Sequence, residues 1–105
     1  MKTLRRVTVA AAIGVLGMLS AGHQASAQIK IGSVLSVSGP ASFLGDPEKK
    51  TLEIYIDEIN AKGGVNGQKL QLIVYDDAGN ADNARTFATR LVEEDKIVAM
   101  VGGTT

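Results

Sequence analysis

The sequence predicts an α/β domain built on a doubly wound parallel sheet, with strands and helices in the order βαβαβ. Short apolar stretches rich in β-branched residues alternate with longer stretches whose apolar residues recur at helical spacing. Clusters of Gly, Pro, Asp and Asn separate these stretches, as expected of turns. Strands that alternate with helices form parallel sheets, and in the common strand order the first strand lies between the second and the third.

Residues 1–27 have the pattern of a secretory signal that is cleaved after Ala27. A basic start precedes an apolar run, Val7 to Leu19, and Ala25-Ser26-Ala27 has the small-x-small form of a cleavage site. The apolar run is too short to span a bilayer comfortably, so a transmembrane helix is the weaker interpretation. We expect general secretion and a periplasmic location.

The remaining 78 residues, 28–105, carry eight Lys and Arg against eleven Asp and Glu, a net charge of −3. This charge, and the lack of a basic stripe with aromatic residues, argues against nucleic acid as a partner. The sequence has no cysteine, and its one histidine, His23, falls in the signal. We therefore expect no disulfide, no metal site and no cofactor.

A 78-residue α/β unit buries only a modest core, and its sequence ends directly after a predicted strand. We therefore expect residues 28–105 to be the N-terminal piece of a longer protein.

The first strand is predicted from Ile29 to about Leu35, where isoleucine and valine suit a buried strand. A loop rich in Ser, Gly and Pro follows, Ser36 to Gly45. The first helix is predicted to begin at Asp46-Pro47, because Asp46 can accept an amide N–H at a helix N-terminus and proline fits the first helical position.

The first helix is predicted to run to about Ala61 and to end at Gly63-Gly64, where glycine supplies a left-handed conformation. Asn66-Gly67 is predicted to form a tight turn. Apolar residues at helical spacing define the predicted core stripe of this helix: Leu52, Tyr55, Ile56 and Ile59.

The second strand is predicted at Lys69–Tyr75, the second helix at about Ala81–Glu94, and the third strand at Ile97–Val101. Asn80 or Asp82 is expected to cap the second helix. The fully apolar third strand is typical of a parallel sheet covered on both faces. The buried face of the second helix is predicted to hold Ala84, Phe87, Ala88, Leu91 and Val92.

In such folds, ligands bind in the crevice where the strand order reverses, here between the first and third strands. The loops Ser36–Gly45 and Gly102–Thr105 would line this crevice, and both are rich in hydroxyl groups and glycine. Each hydroxyl alone is best explained by hydrogen bonds to local amides. Their joint placement at the strand ends predicts a site for a carboxylate or similar small anion.

No enzyme signature is found: the first loop lacks the lysine and spacing of a P-loop, and no G-x-G-x-x-G follows the first strand. Asp76-Asp77 is the one paired carboxylate outside the helices. It would suit a magnesium or phospho-acceptor site or a general acid and base. We favour a strand-to-helix turn whose carboxylates accept backbone hydrogen bonds, because no third carboxylate or lysine supports the other uses.

Three stretches together carry a specific resemblance: IKIGSVLSVSGPASFLGD, INAKGGVNGQKLQLIVYDD and LVEEDKIVAMVGG. They resemble the N-terminus of type I periplasmic solute-binding proteins, of the leucine/isoleucine/valine-binding kind that serves ABC importers. The resemblance implies a two-lobed, non-enzymatic protein that closes on a branched-chain or related amino acid and delivers it to an inner-membrane permease. Residues 28–105 would form the N-terminal part of the first lobe.

The resemblance also implies positions for the ligand. In the family, hydroxyls and amides of the loop after the third strand hold the ligand's carboxylate and amino groups. The principal hydroxyl contact would fall just beyond Thr105, with Thr104 and Thr105 at best adjacent to it. The first loop supplies an apolar wall, which falls on Leu44. With Ser38 of the same loop, the candidate ligand-binding residues are Ser38, Leu44, Thr104 and Thr105.

Three alternatives remain open. A secreted α/β enzyme would have its catalytic residues beyond Thr105, and a ligand-sensing receptor domain would share the fold. A phospho-receiver-like switch is suggested by Asp76-Asp77. It is disfavoured because the acidic pair of such a switch should follow the first strand, whereas Asp76-Asp77 follows the second. The predicted export signal at residues 1–27 also argues against a cytoplasmic switch.

Overall fold

The computed structural model describes residues 28–105, so the predicted signal and its cleavage site after Ala27 lie outside the described residues. Three strands and two helices alternate, which confirms the predicted βαβαβ order. No helix in residues 28–105 is long and apolar enough to cross a membrane. The elements are β1 (Ile29–Leu35), α1 (Ser42–Ala61), β2 (Leu70–Asp76), α2 (Ala81–Glu93) and β3 (Ala99–Met100).

The three strands form a parallel sheet in the order β2-β1-β3, as predicted. β1 pairs with β2 along its whole length, from Ile29 opposite Leu70 to Leu35 opposite Asp76. β3 pairs with β1 on the other side, with Ile31 opposite Ala99. The centre of the domain is therefore β1, which is buried from Gly32 onward.

The two helices cover opposite faces of the sheet. Successive side chains of a strand point to opposite faces, so each face offers its own set of side chains to one helix. On one face, Leu72 of β2 lines a hollow with Ile56 of α1. On the other face, Leu91 of α2 is fully buried over Gly32, where a Cβ would lie 2.9 Å from the Leu91 Cδ2 atom. This arrangement confirms the doubly wound architecture.

An aromatic cluster fastens α2 to β2. The rings of Tyr75 and Phe87 stack with their centroids 5.0 Å apart, and the Arg90 guanidinium lies 5.5 Å from each centroid. The Tyr75 hydroxyl donates a 2.7 Å hydrogen bond to the Asp95 carboxylate, which raises the pKa of the phenol above its ordinary value. The cluster thus joins β2 to both α2 and the segment after it.

Two helix ends lie at the residues predicted for them: the C-terminus of α1 and the N-terminus of α2. Gly63 and Gly64 have positive φ angles and end α1, with the Gly64 N–H bonded to the Ile59 carbonyl at 2.9 Å. Asn80 caps α2 by accepting a hydrogen bond from the backbone N–H of Asn83 at 2.9 Å.

The predicted start of α1 is wrong. The helix begins at Ser42, its N-cap Ala41 makes no side-chain capping bond, and Pro47 lies inside the helix. Asp46 does not cap, and instead forms a 2.8 Å ion pair with Lys50 one turn later. The loop after β1 is accordingly shorter than the predicted Ser36–Gly45.

Gly45 explains the earlier start. It is buried, and a Cβ on this residue would overlap the backbone carbonyl of Ser36. Without a side chain, the first turn of α1 packs directly on the end of β1. This contact is tertiary, so turn and cap preferences in the sequence do not reveal it.

Some predicted core positions are exposed. Tyr55 of α1 is 59% exposed and Val92 of α2 is 57% exposed. β3 is shorter than predicted and not covered on both faces, with Val98 70% exposed. Within residues 28–105, β3 is an edge strand: β1 pairs with one of its edges, and no strand pairs with the other edge there.

The contact at Gly45 predicts a large stability effect. Gly45→Ala in the complete gene product should lower the free energy of unfolding by about 3 kcal/mol, because backbone must move to admit the methyl group. Gly103→Ala is the control, since a Cβ there meets only the Val34 carbonyl oxygen at 3.9 Å. Urea unfolding measures both variants, and equal midpoints would contradict the proposed close packing.

Candidate functional site

The loops after β1 and β3 meet at Ser36, at the carboxyl end of the sheet. Ser36 is fully buried. Its backbone N–H donates to the Thr104 Oγ1 atom at 2.9 Å, and its own hydroxyl donates to the Asp77 carboxylate at 2.7 Å. One residue therefore ties together the segments that follow all three strands.

The Thr104 hydroxyl is also bonded to α1. It donates to the Glu48 Oε2 atom at 2.6 Å, and both residues are only partly exposed. A hydroxyl has one proton and two lone pairs. The Thr104 hydroxyl donates its one hydrogen bond to Glu48, and one of its lone pairs accepts the Ser36 N–H. The Thr104 oxygen can therefore only accept a further hydrogen bond.

Asp76 holds the loop after β1 from the neighbouring strand. Its Oδ1 atom accepts the backbone N–H groups of Val37 at 2.9 Å, Ser38 at 3.1 Å and Ala78 at 2.9 Å. Its Oδ2 atom accepts the Ser38 hydroxyl at 2.6 Å. The hydrogen bond from the Ser38 hydroxyl is the main cause that lowers the pKa of Asp76 below its ordinary value. Burial acts in the opposite direction with a smaller effect than this bond, and the three amides lower the pKa further.

Asp77 fixes the start of α2. It is 5% exposed, and its Oδ1 atom accepts the Gly79 N–H at 2.7 Å in addition to the Ser36 hydroxyl. Both carboxylate oxygens of Asp76 and the Oδ1 atom of Asp77 thus accept hydrogen bonds from loop amides and hydroxyls, which confirms the predicted structural role of the pair. Among residues 28–105, no group of three His, Cys, Asp or Glu side chains is placed to hold a metal ion.

A cleft of about 490 Å³ lies between the N-terminal half of α1 and the loop after β3. Leu44, 43% exposed, and the Gly102-Gly103 backbone line it. Its surface is mainly apolar, and Glu48 contributes the charged group. The full lining is Leu44, Pro47, Glu48, Thr51, Leu52, Val101, Gly102 and Gly103.

Another hollow of about 530 Å³ runs between α1 and β2. It is lined largely by charged and polar side chains such as Lys49, Glu53 and Asp57, and it lies along the side of the sheet. The mainly apolar cleft at the strand ends is the better candidate, because the loops of an α/β fold converge there.

The four predicted ligand-binding residues occupy three places. Leu44 lies in the cleft, and Thr104 lies beside it, bonded to Glu48. Thr105 borders a separate hollow of about 260 Å³ at the N-terminus of α2. Ser38 is bonded to Asp76 at the end of β2. The structure therefore brings Leu44, Gly102-Gly103 and Thr104 together and sets Ser38 and Thr105 apart from them.

Glu48 was not among the residues predicted to bind the ligand. The spacing carried a signal: Leu44, Glu48 and Leu52 recur every four residues and share one face once α1 is known to begin at Ser42. The late start predicted for α1 concealed this face.

Comparison with known proteins gives a consistent result. The model of a family described as periplasmic binding protein matches residues 28–105. The Leu/Ile/Val-binding protein homolog 7 of Brucella suis is 41% identical over 91 residues, which is 87% of this chain and 23% of the relative. The Leu/Ile/Val-binding protein of Escherichia coli K12 is 41% identical over 66 residues, or 63% of this chain and 18% of the relative.

Solved structures share the fold. The branched-chain amino acid transporter substrate binding protein LivJ from Streptococcus pneumoniae, in complex with isoleucine, has a TM-score of 0.71 and 34% identity, covering 72% of this chain and 22% of that one. A putative branched-chain amino acid ABC transporter from Rhodospirillum rubrum has a TM-score of 0.69 and 26% identity, covering 75% and 22%. The chain spans less than a quarter of the length of these relatives.

The Ser38–Asp76 bond predicts a titration effect. Ser38→Ala should raise the pKa of Asp76 toward its ordinary value of 3.8, because the largest cause of the lowering is removed. A carboxylate with a lowered folded pKa stabilises the fold above pH 3.8, and this contribution is lost as the pH falls through the folded pKa. The loss in this acid range should be smaller in the variant.

Carbon-13 NMR titration of the Asp76 carboxyl measures this shift, with Ser42→Ala as a serine control from the first turn of α1. An unchanged midpoint in Ser38→Ala would contradict the assigned cause.

Proposed function

The chain belongs to the periplasmic binding protein family, and from this we propose that the complete protein captures a branched-chain or related amino acid and delivers it to an ABC permease of the inner membrane. Membership confirms the resemblance inferred from the sequence and implies a periplasmic or extracellular location. Within that range we propose export to the periplasm and cleavage after Ala27.

We further propose that residues 28–105 form the N-terminal part of the first of two lobes. The lobe would supply one side of the ligand site, and its partner lobe would close over the other side. The relatives' greater length supports this division, since the chain covers 23% of the Brucella suis homologue.

The observation that carries the proposal is the cleft shared by Leu44 and the Gly102-Gly103 backbone. Leu44 would provide an apolar wall for an aliphatic side chain. The Thr104 oxygen, restricted to accepting, suits an ammonium group, whereas amides of the loop after β3 suit a carboxylate. Ser38 lies outside this cleft and could act only as an acceptor, since its hydroxyl already donates a hydrogen bond to Asp76.

The family consists of substrate-binding proteins of transporters rather than enzymes. We propose that this protein likewise has no catalytic role. Support comes from the hydrogen bonds that the loops donate to both oxygens of Asp76 and to the Oδ1 atom of Asp77, and from the fact that neither residue lines the cleft between α1 and the loop after β3. The same occupancy disfavours a phospho-receiver function.

Titration calorimetry of the complete gene product tests the proposal directly. L-leucine, L-isoleucine or L-valine should release heat with one-site stoichiometry, while an aliphatic amine without a carboxylate should not. No heat with any aliphatic amino acid would refute the proposed ligand class.

The apolar wall makes a separate prediction. Leu44→Ala should weaken binding of L-isoleucine roughly tenfold, because the methyl groups that cover the ligand's side chain are lost. Ile54→Ala is the matched control, since Ile54 is 58% exposed on the same helix and does not line the cleft. Equal losses in the two variants would show that Leu44 is not the wall.

A further inference from the structure

We propose that Glu48 is the positioning residue of the ligand cleft: its carboxylate fixes the Thr104 hydroxyl and thereby sets the loop after β3 against α1. The inference rests on the proposed function for its effect on ligand affinity. The bond that carries it joins residues that are 56 positions apart in the sequence, Thr104 and Glu48, at 2.6 Å.

The first step is the buried N–H of Ser36. Ser36 has no exposed surface, and its N–H is bonded to the Thr104 oxygen at 2.9 Å. A buried amide left without an acceptor is costly, so the end of β1 requires a Thr104 hydroxyl that points a lone pair at it.

The second step is the direction of the Thr104 proton. A free hydroxyl rotates and can turn either its proton or a lone pair toward a neighbour. An ionised carboxylate only accepts, so the Thr104 hydroxyl donates its hydrogen bond to Glu48, one lone pair accepts the Ser36 N–H, and the other can only accept a further hydrogen bond. Glu48 thus fixes the Thr104 hydroxyl as an acceptor of hydrogen bonds.

The third step is the rigidity of the support. α1 is seated on the Ser36 carbonyl through Gly45, one turn before Glu48. These contacts therefore link β1, the loop after β3 and α1 in a closed circuit, which consists of Ser36, Thr104, Glu48 and Gly45. The circuit holds Gly102-Gly103 at a fixed distance from Leu44 across the cleft.

The experiment uses the complete gene product with L-isoleucine as the probe. Glu48→Ala should weaken the affinity roughly tenfold and speed hydrogen exchange of the Ser36 amide roughly tenfold, because the hydroxyl is no longer held. Glu48→Gln, which keeps an acceptor oxygen, should recover most of both losses. Glu58→Ala, an exposed carboxylate on the same helix, is the matched control and should change neither.

A double-mutant cycle separates positioning from a general loss of stability. Thr104→Val removes the hydroxyl, and adding Glu48→Ala to it should cause no further loss of affinity if both act through one hydrogen bond. Should Glu48→Ala fail to fold, Glu48→Asp takes its place, because it keeps the charge on a side chain too short to reach Thr104.

The outcomes are distinct. Wild-type affinity and wild-type Ser36 exchange in Glu48→Ala, or additive losses in the cycle, would overturn the role of Glu48. Absence of isoleucine binding by the wild-type protein would overturn the proposed function instead. In that case Ser36 exchange alone decides whether Glu48 positions the loop, and an unchanged rate in Glu48→Ala rejects it.

Discussion

The burial of Ser36 is the constraint on which the carboxyl end of this domain depends. A fully buried serine has to satisfy a backbone N–H and a hydroxyl without water, and unmet groups of this kind are costly. Asp77 after β2 and Thr104 after β3 provide the partners, while α1 packs on the carbonyl through Gly45. The central strand thus fixes the position of each of its neighbours at one point.

Three carboxylates build the frame of the cleft. Asp76 and Asp77 accept bonds from the loop after β1, and Glu48 accepts one from the loop after β3. Bonds to ionised acceptors are stronger than neutral ones. The loops are therefore held in place before a ligand arrives, and a ligand that meets ordered loops loses less free energy in ordering them.

The order and boundaries of most elements could be predicted because their signals are local. β1 was predicted to the residue, and Gly63-Gly64 end α1 as expected. The start of α1 could not be predicted, because it depends on the contact between Gly45 and the Ser36 carbonyl, which no local pattern contains. The exposure of Tyr55 has a similar cause: a stripe predicts that a helix packs, but not how far the packing surface extends.

The sequence predicts a site at the strand ends, where the structure has the cleft between α1 and the loop after β3, but a count of hydroxyl groups does not show which of them can donate a hydrogen bond. The Ser38 and Thr104 hydroxyls both donate their hydrogen bonds to carboxylates, so neither can donate to an anion. A carboxylate in the cleft would depend on backbone amides. Glycine suits such a role, because Gly102 takes a positive φ of 63° and, without side chains, Gly102 and Gly103 leave the backbone open to the cleft. The Ser38 and Thr104 hydroxyl groups thus hold the loops in place, and in the proposed site the recognition of an anion would rest on the backbone.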